Sequence, residues 1–306
     1  MNNAEIFDEV AYCYDGTLEG LLCAIFVSYE NKEIPSDIML QGSLQPRLSQ
    51  RIAMVETNAT QARRVMRGIT RACGKQTFDA VRKASLSSKS GAPYAIFRFV
   101  RYAMDEHRIR SCDTCKTSRN CASVNARYCA QLKGHALANI AHPDVSPLFD
   151  ITRSIDNECE HVRQFARFKH FDDGHMGIWY AKCSPRDAVV PLVMSHFARR
   201  FGEERFALLD ERHHMAGVYD GNRWCLADLS ENASMSSAAV SESPEEEVVQ
   251  EAWRAFYRAI SIESRYNPEL RVKFMPKRFW ADLTELAGEE EAPAKSRLGT
   301  VDSANA

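Results

Sequence analysis

The 306-residue chain predicts an α+β fold: a helical N-terminal half with a short leading strand, a small mostly antiparallel sheet with a helix in the middle, and C-terminal helices. Three observations predict it. Residues 57 to 103 carry apolar residues at helical spacing. Strand-like runs come in pairs around Asp-Gly turns, with a helical run between the pairs, which favours segregated elements over a doubly wound parallel sheet. Glycine-rich dinucleotide and phosphate-loop motifs are absent from the sequence.

The elements follow in order. Val10 to Tyr14 reads as a strand, Asp15-Gly16 as a turn, and Thr17 as the N-cap of a helix beginning near Leu18. Leu18, Leu21, Leu22, Ile25, Phe26 and Tyr29 share one apolar stripe of that helix. TNATQARRVMRGITRAC, KQTFDAVRKAS and PYAIFRFVRYAM are three further helical patterns. HVRQFARFKHFDDGHMGIWYAKC suggests two strands around Asp172-Asp173-Gly174, and AVVPLVMSHFARRFG a helix stopped by Gly202, with Val189, Leu192, Val193, Phe197 and Phe201 on its apolar side. RFALLDERHHMAGVYDGNRWCLADL supplies more strands, the last two joined through Asp220-Gly221. VVQEAWRAFYRAISIESRY is a helix expected to bury Val248, Trp253, Phe256, Tyr257 and Ile260.

These patterns divide the chain into a strand-helix start and helical region (1–106), a cysteine-rich basic insertion (107–140), an α+β sheet region (141–229), a flexible acidic linker (230–247), a C-terminal helical segment (248–286) and a disordered tail (287–306).

The net charge of -2 carries no global signature of nucleic-acid binding, but it can conceal basic faces. Arg98 to Lys133 holds eight Lys or Arg against three acidic residues, a composition able to track phosphates. Lys273, Lys277 and Arg278 are interleaved with Phe274, Phe279 and Trp280 in KFMPKRFW, which suits phosphate contact and base stacking, or a segment that docks its rings on the core with its charges outward. The acidic start lacks a basic region followed by an apolar one, and the chain has no apolar run of about eighteen residues, so the expected location is cytoplasmic, without a membrane span.

Ten cysteines in a reducing compartment point to metal or redox chemistry where they cluster and to small core residues where they scatter, as at Cys13, Cys23, Cys73, Cys159, Cys183 and Cys225. Cys112, Cys115, Cys121 and Cys129 can supply four thiolates to zinc or an iron-sulfur cluster. His213-His214 is discounted as a metal pair, because neighbours on a strand point to opposite faces. GxSxG, HExxH and zinc-deaminase motifs are absent, as is the CxxxCxxC of radical-SAM enzymes.

YDGTLEGLLCAIFVSYE, FARF with PLVMSHFARRF, and WRAFYRAISIESRYNPELRVKFMPKRFW together resemble a bacterial family of DNA metabolism or repair proteins that accompanies a radical-SAM protein. A related domain of that family occurs fused to a uracil-DNA-glycosylase-like domain. The resemblance runs from about Tyr14 to Leu286. It implies DNA and a radical-SAM protein as partners. It draws attention to Asp15, Arg167, Arg200, Arg212, Lys277, Arg278 and Trp280 for nucleic-acid or partner binding, and to Glu158, His196 and Asp210 as acid-base residues if the protein is itself an enzyme such as a glycosylase or nuclease. A scaffold without DNA contact is the remaining alternative. Where the family pattern has Glu-x-His-Arg, this chain has Glu158, Cys159, Glu160 and His161, and the cysteine segment looks like an insertion, so a metal there would staple a basic loop.

Overall fold

The computed structural model describes residues 9–42, 50–109, 135–172, 177–229 and 241–286. The fold is α+β, in two compact units: residues 1–158 with 186–188, and residues 159–185 with 189–306.

The first unit is built on β1 (Glu9–Tyr14), flanked in parallel by β2 (Asp37–Leu40) and β3 (Gln50–Met54). Every β1 residue after Glu9 is buried, as expected of a central parallel strand covered on both faces. Tyr12 is fully enclosed but donates its hydroxyl to Glu33 at 2.8 Å; burial, then the Glu33 carboxylate, pushes that hydroxyl up to about 12. Helix α1 (Leu18–Asn31) starts where expected, with the Thr17 hydroxyl accepting from the Gly20 amide. Next come α2 (Ala59–Cys73), capped by Asn58, then α3 (Lys75–Ala84), α4 (Ala92–Ile109) and the single-turn α5 (His135–Ala138). The leading strand therefore has two partners that the sequence pattern does not reveal. DIML and QRIAM are too short for alternation to stand out from their polar flanks.

Helix α6 (Ser146–Phe165) opens the α+β region and corrects the strand reading of HVRQF, which is helical to Phe165. Leu148, Ile151, Ile155, Cys159, Val162 and Phe165 are its buried stripe. Glu158 thus sits on a helix, and only Ala166 to Phe168 of the FARF motif lead into a strand.

The second unit holds β4 (Lys169–Asp172), β5 (Ile178–Cys183), α7 (Val190–Phe201), β6 (Phe206–Asp210), β7 (Met215–Tyr219), β8 (Trp224–Asp228) and the two-residue β9 (Ser241–Glu242), in the sheet order β8-β7-β6-β5-β4-β9. All neighbours are antiparallel except β5 and β6, whose parallel pairing requires the α7 crossover. Val190, Val193, Met194 and Phe197 bury one face of α7, and Gly202 ends the helix at φ +65°, where Tyr219 donates its hydroxyl to the Gly202 carbonyl at 2.7 Å. Phe168, Phe197 and Phe206 meet edge to face in the core beside them.

Helix α8 (Pro244–Ile260), a 3-10 turn (Glu263–Arg265), α9 (Pro268–Phe274) and a second 3-10 segment (Lys277–Asp282) follow. Two expectations change here. Glu245 to Glu247, assigned by composition to the linker, form the first turn of α8, where carboxylates suit the helix dipole, and Glu246 is buried accepting the His170 amide at 3.0 Å. Val248, Trp253, Phe256 and Ile260, expected in the core, are exposed, and Tyr257 is only half-buried. Cys13, Cys23, Cys73, Cys159 and Cys183 are buried as expected, whereas Cys225 is exposed. Among the described residues no helix is long and apolar enough to cross a membrane. The cysteine-rich segment from 110 to 134 and the tail from 287 lie outside the described residues.

Candidate nucleic-acid interface

From Trp253 to Trp280 the second unit presents aromatic rings and cations together. Trp253 (41 % exposed), Phe256 (52 %), Tyr266 (66 %) and Phe274 (64 %) face outward, interspersed with Arg254, Arg258, Arg265, Arg271 and Lys273. Trp253, Phe256 and Tyr266 have defined neighbours. Trp253 donates its indole N–H to Glu285 at 3.0 Å and lies 5.7 Å from the Phe256 ring. The Arg271 guanidinium lies 4.9 Å from the Trp280 ring and 5.6 Å from that of Tyr266, with the Lys277 ammonium 5.8 Å from Trp280. Trp280 is oriented by an N–H bond to the Met275 carbonyl at 2.9 Å. Phe279 is the anchor of this segment, buried against Phe165 and His161, and Arg278 lies 4.9 Å from its ring and 3.4 Å from His161 Nδ1. In KFMPKRFW, Phe279 docks on the core, while Phe274, Lys273 and Lys277 remain exposed.

In the first unit, Thr60, Arg63, Arg64, Arg67, Gly68 and Arg71 line a shallow groove along α2. The i, i+4 spacing of Arg63, Arg67 and Arg71 sets three guanidinium groups on one face, and these three have no ion pair among the described residues. Arg64 lies 5.5 Å from the Phe26 ring. Asp15 closes its own turn: one carboxylate oxygen accepts from the Thr17 amide and hydroxyl, and the other from the Thr57 hydroxyl at 2.7 Å. Burial pushes this carboxyl up, but the bonds from Thr57 and Thr17 outweigh it and hold it below the ordinary range. Gly20 must be glycine for this arrangement, since a Cβ there would lie 2.2 Å from Asp15 Oδ1.

The three residues considered for acid-base work fall in different units, Glu158 in the first and His196 and Asp210 in the second. Glu158 belongs to the first unit, buried, and accepts the Arg186 amide at 3.0 Å. His196 is half-buried on α7; burial, then Arg163, Arg199 and Arg200, lowers its pKa and favours the neutral ring. Asp210, fully buried at the end of β6, binds His213: Oδ2 lies 2.7 Å from Nδ1, and Oδ1 accepts the His213 amide at 3.2 Å. His213 and His214 lie in a turn rather than on a strand, so the opposite-faces argument does not apply to them. The three-residue step from Asp210 to His213 is the one signal of this pair in the sequence. Arg212 is exposed in the same turn, and Arg200 is exposed near the end of α7.

Arg167 is committed elsewhere. Its guanidinium grips Glu285 at 2.6 and 3.3 Å and forms one wall of a cleft over β4 and β5. No group of three His, Cys, Asp or Glu able to hold a metal occurs among the described residues, and Cys112, Cys115, Cys121 and Cys129 lie outside them.

A family model described as a domain of unknown function, DUF4130, matches residues 118–285, more than half of the chain. No curated protein matches it.

Proposed function

The chain belongs to the DUF4130 family, and from that premise we propose that it is a nucleic-acid-binding accessory protein of DNA repair or DNA modification that works with a radical-SAM protein. The observation that carries this reading is the exposed run of rings and cations from Trp253 to Trp280. Outward rings cost free energy in water unless something covers them, and stacked bases are a cover that every nucleic acid offers, at about 1–3 kcal/mol per base. Arginines between the rings meet the phosphates that come with those bases. The radical-SAM partner and the repair setting come from the resemblance of the YDGTLEG, SHFARRF and KFMPKRFW segments alone. In the same reading Cys112, Cys115, Cys121 and Cys129 hold zinc or an iron-sulfur cluster that staples the basic insertion.

An enzyme acting directly on DNA is the second reading. The buried Asp210 carboxylate against His213 favours it, because such a pair orients an imidazole for proton transfer.

The test is anaerobic purification, with zinc and iron measured first, then reconstitution with the radical-SAM protein and single-stranded DNA. Binding is expected to weaken steeply with salt, and Tyr266→Ala or Phe274→Ala to weaken it about five- to a hundredfold. Absence of binding to both DNA and the radical-SAM protein sinks the proposal. Turnover of DNA by the protein alone, lost in His213→Ala, would replace it with the enzyme reading.

A further inference from the structure

The cleft over β4 and β5 encloses about 270 Å³. Its floor follows from strand alternation: Lys169 and Phe171 point from β4, and Tyr180 and Lys182 from β5, to the same side, with Lys169 directly opposite Tyr180. Gln250 and Arg254 of α8 and the stretch from Ala281 to Thr284, which includes Asp282, add to the lining beside Arg167.

A sheet face covered by a helix is ordinarily apolar, because a partly desolvated ammonium is costly without a counter-charge. Here four cations line one cleft against a single lining carboxylate. Arg167 is matched by Glu285, while Lys182 meets Glu211 in an exposed pair at 2.7 Å that a stronger anion can displace. Arg254 has no ion pair among the described residues. Cations gathered in this way are a binding arrangement for phosphate rather than a core.

The remaining groups define what is attached to the phosphate. Phe171 and Tyr180 meet edge to face at 5.7 Å and give an aromatic wall. The Tyr180 hydroxyl can donate a hydrogen bond at neutral pH, and burial raises its pKa further. Asp282 would repel a bare phosphate, but a carboxylate beside a phosphate seat is the acceptor that a sugar hydroxyl or an exocyclic amine requires. We infer that this cleft binds a nucleoside phosphate, with the phosphate on Lys169, Lys182 and Arg254, the nucleoside against Phe171, and a sugar or base donor on Asp282. The cleft shares Arg254 with the exposed surface of α8, but its floor on β4 and β5 is separate from the exposed rings, and the moiety it binds can arrive as a free nucleotide or as the 5′ end of a strand.

Calorimetric titration of the full chain tests it with three probes: adenosine monophosphate, inorganic phosphate, and one oligonucleotide with and without a 5′ phosphate. Adenosine monophosphate is expected to bind at least tenfold tighter than phosphate, and Lys182→Ala and Arg254→Ala each to weaken it about ten- to a hundredfold. Asp282→Asn is expected to weaken the nucleotide while tightening phosphate, a crossing that loss of fold cannot produce. A 5′-phosphate-dependent gain with the oligonucleotide that exceeds the free nucleotide assigns the strand end as the source. Saturation by neither nucleotide nor 5′-phosphorylated strand, affinity for phosphate equal to that for the nucleotide, or binding unchanged in both cation variants overturns the inference.

Discussion

Glu285 is a carboxylate with only 3 % of its side chain exposed, and it is stable there because Arg167 grips it through two bonds and Trp253 adds a third. Burial alone would raise its pKa, but those donors outweigh burial and hold it below the usual carboxylate range. Truncation strands a half-buried guanidinium, so Glu285→Ala should cost about 3–5 kcal/mol in denaturant unfolding. The pH dependence has a definite sign. Because the folded value lies below the unfolded one, near 4.3, the contribution is complete above the unfolded value and is lost as pH falls through the folded value. The stability gap between wild type and Glu285→Gln should therefore shrink on acidification from about pH 5 downward, and a gap that widens would remove the assignment. The sequence points to Arg167 but not to its partner, since the two are 118 positions apart and nothing local links them. Trp280 stands out in the sequence too, but its ties to Arg271 and Met275 are equally invisible there, being products of how α9 turns into the 3-10 segment.

Among the elements, α7 and β7 show how closely the second unit is packed. A Cβ on Gly217 would lie 2.2 Å from Met194 Sδ, with both residues buried, so that glycine exists to admit the thioether. Gly217→Ala should cost about 1–3 kcal/mol by overpacking, and Met194→Ala about 2–5 kcal/mol by cavity formation. In the double variant the new methyl enters the space the methionine leaves, so the combined loss should fall short of the sum by about 1 kcal/mol or more. Strict additivity would mean that the two side chains do not compete. Helix α7 is legible because twelve residues of clean periodicity end at a glycine, and α1 because threonine caps it. Helix α6 has equally good spacing, but the FARF motif at its end reads as the start of a strand region and masks it. For α8 the apolar side is legible but not its exposure, because hydrophobic periodicity reports which residues avoid water and not whether this chain or a partner covers them.

At the scale of the whole molecule a net charge of -2 conceals a strongly local distribution. Acidic residues gather at the start of α8, as Glu245 to Glu247, while α2 carries Arg63, Arg64, Arg67 and Arg71 within nine residues and no acidic residue at all. This helix lies in the first unit and outside the span matched by the DUF4130 model, whereas the exposed rings lie in the second unit and inside it. If both surfaces meet nucleic acid, they contribute by different physics that an experiment can separate. Arginines without rings neutralise phosphates and so act through counterion release. Replacing Arg63, Arg67 and Arg71 together by alanine should weaken single-stranded DNA binding uniformly across sequences. It should also flatten the slope of log K against log salt by about 0.7 for each phosphate no longer neutralised, roughly two in all. Tyr266→Ala should lower affinity while leaving that slope unchanged, because stacking releases few ions. Identical slopes for the triple-arginine variant and wild type would exclude α2 from the interface and confine the proposed contact to the basic insertion and the C-terminal half of the chain.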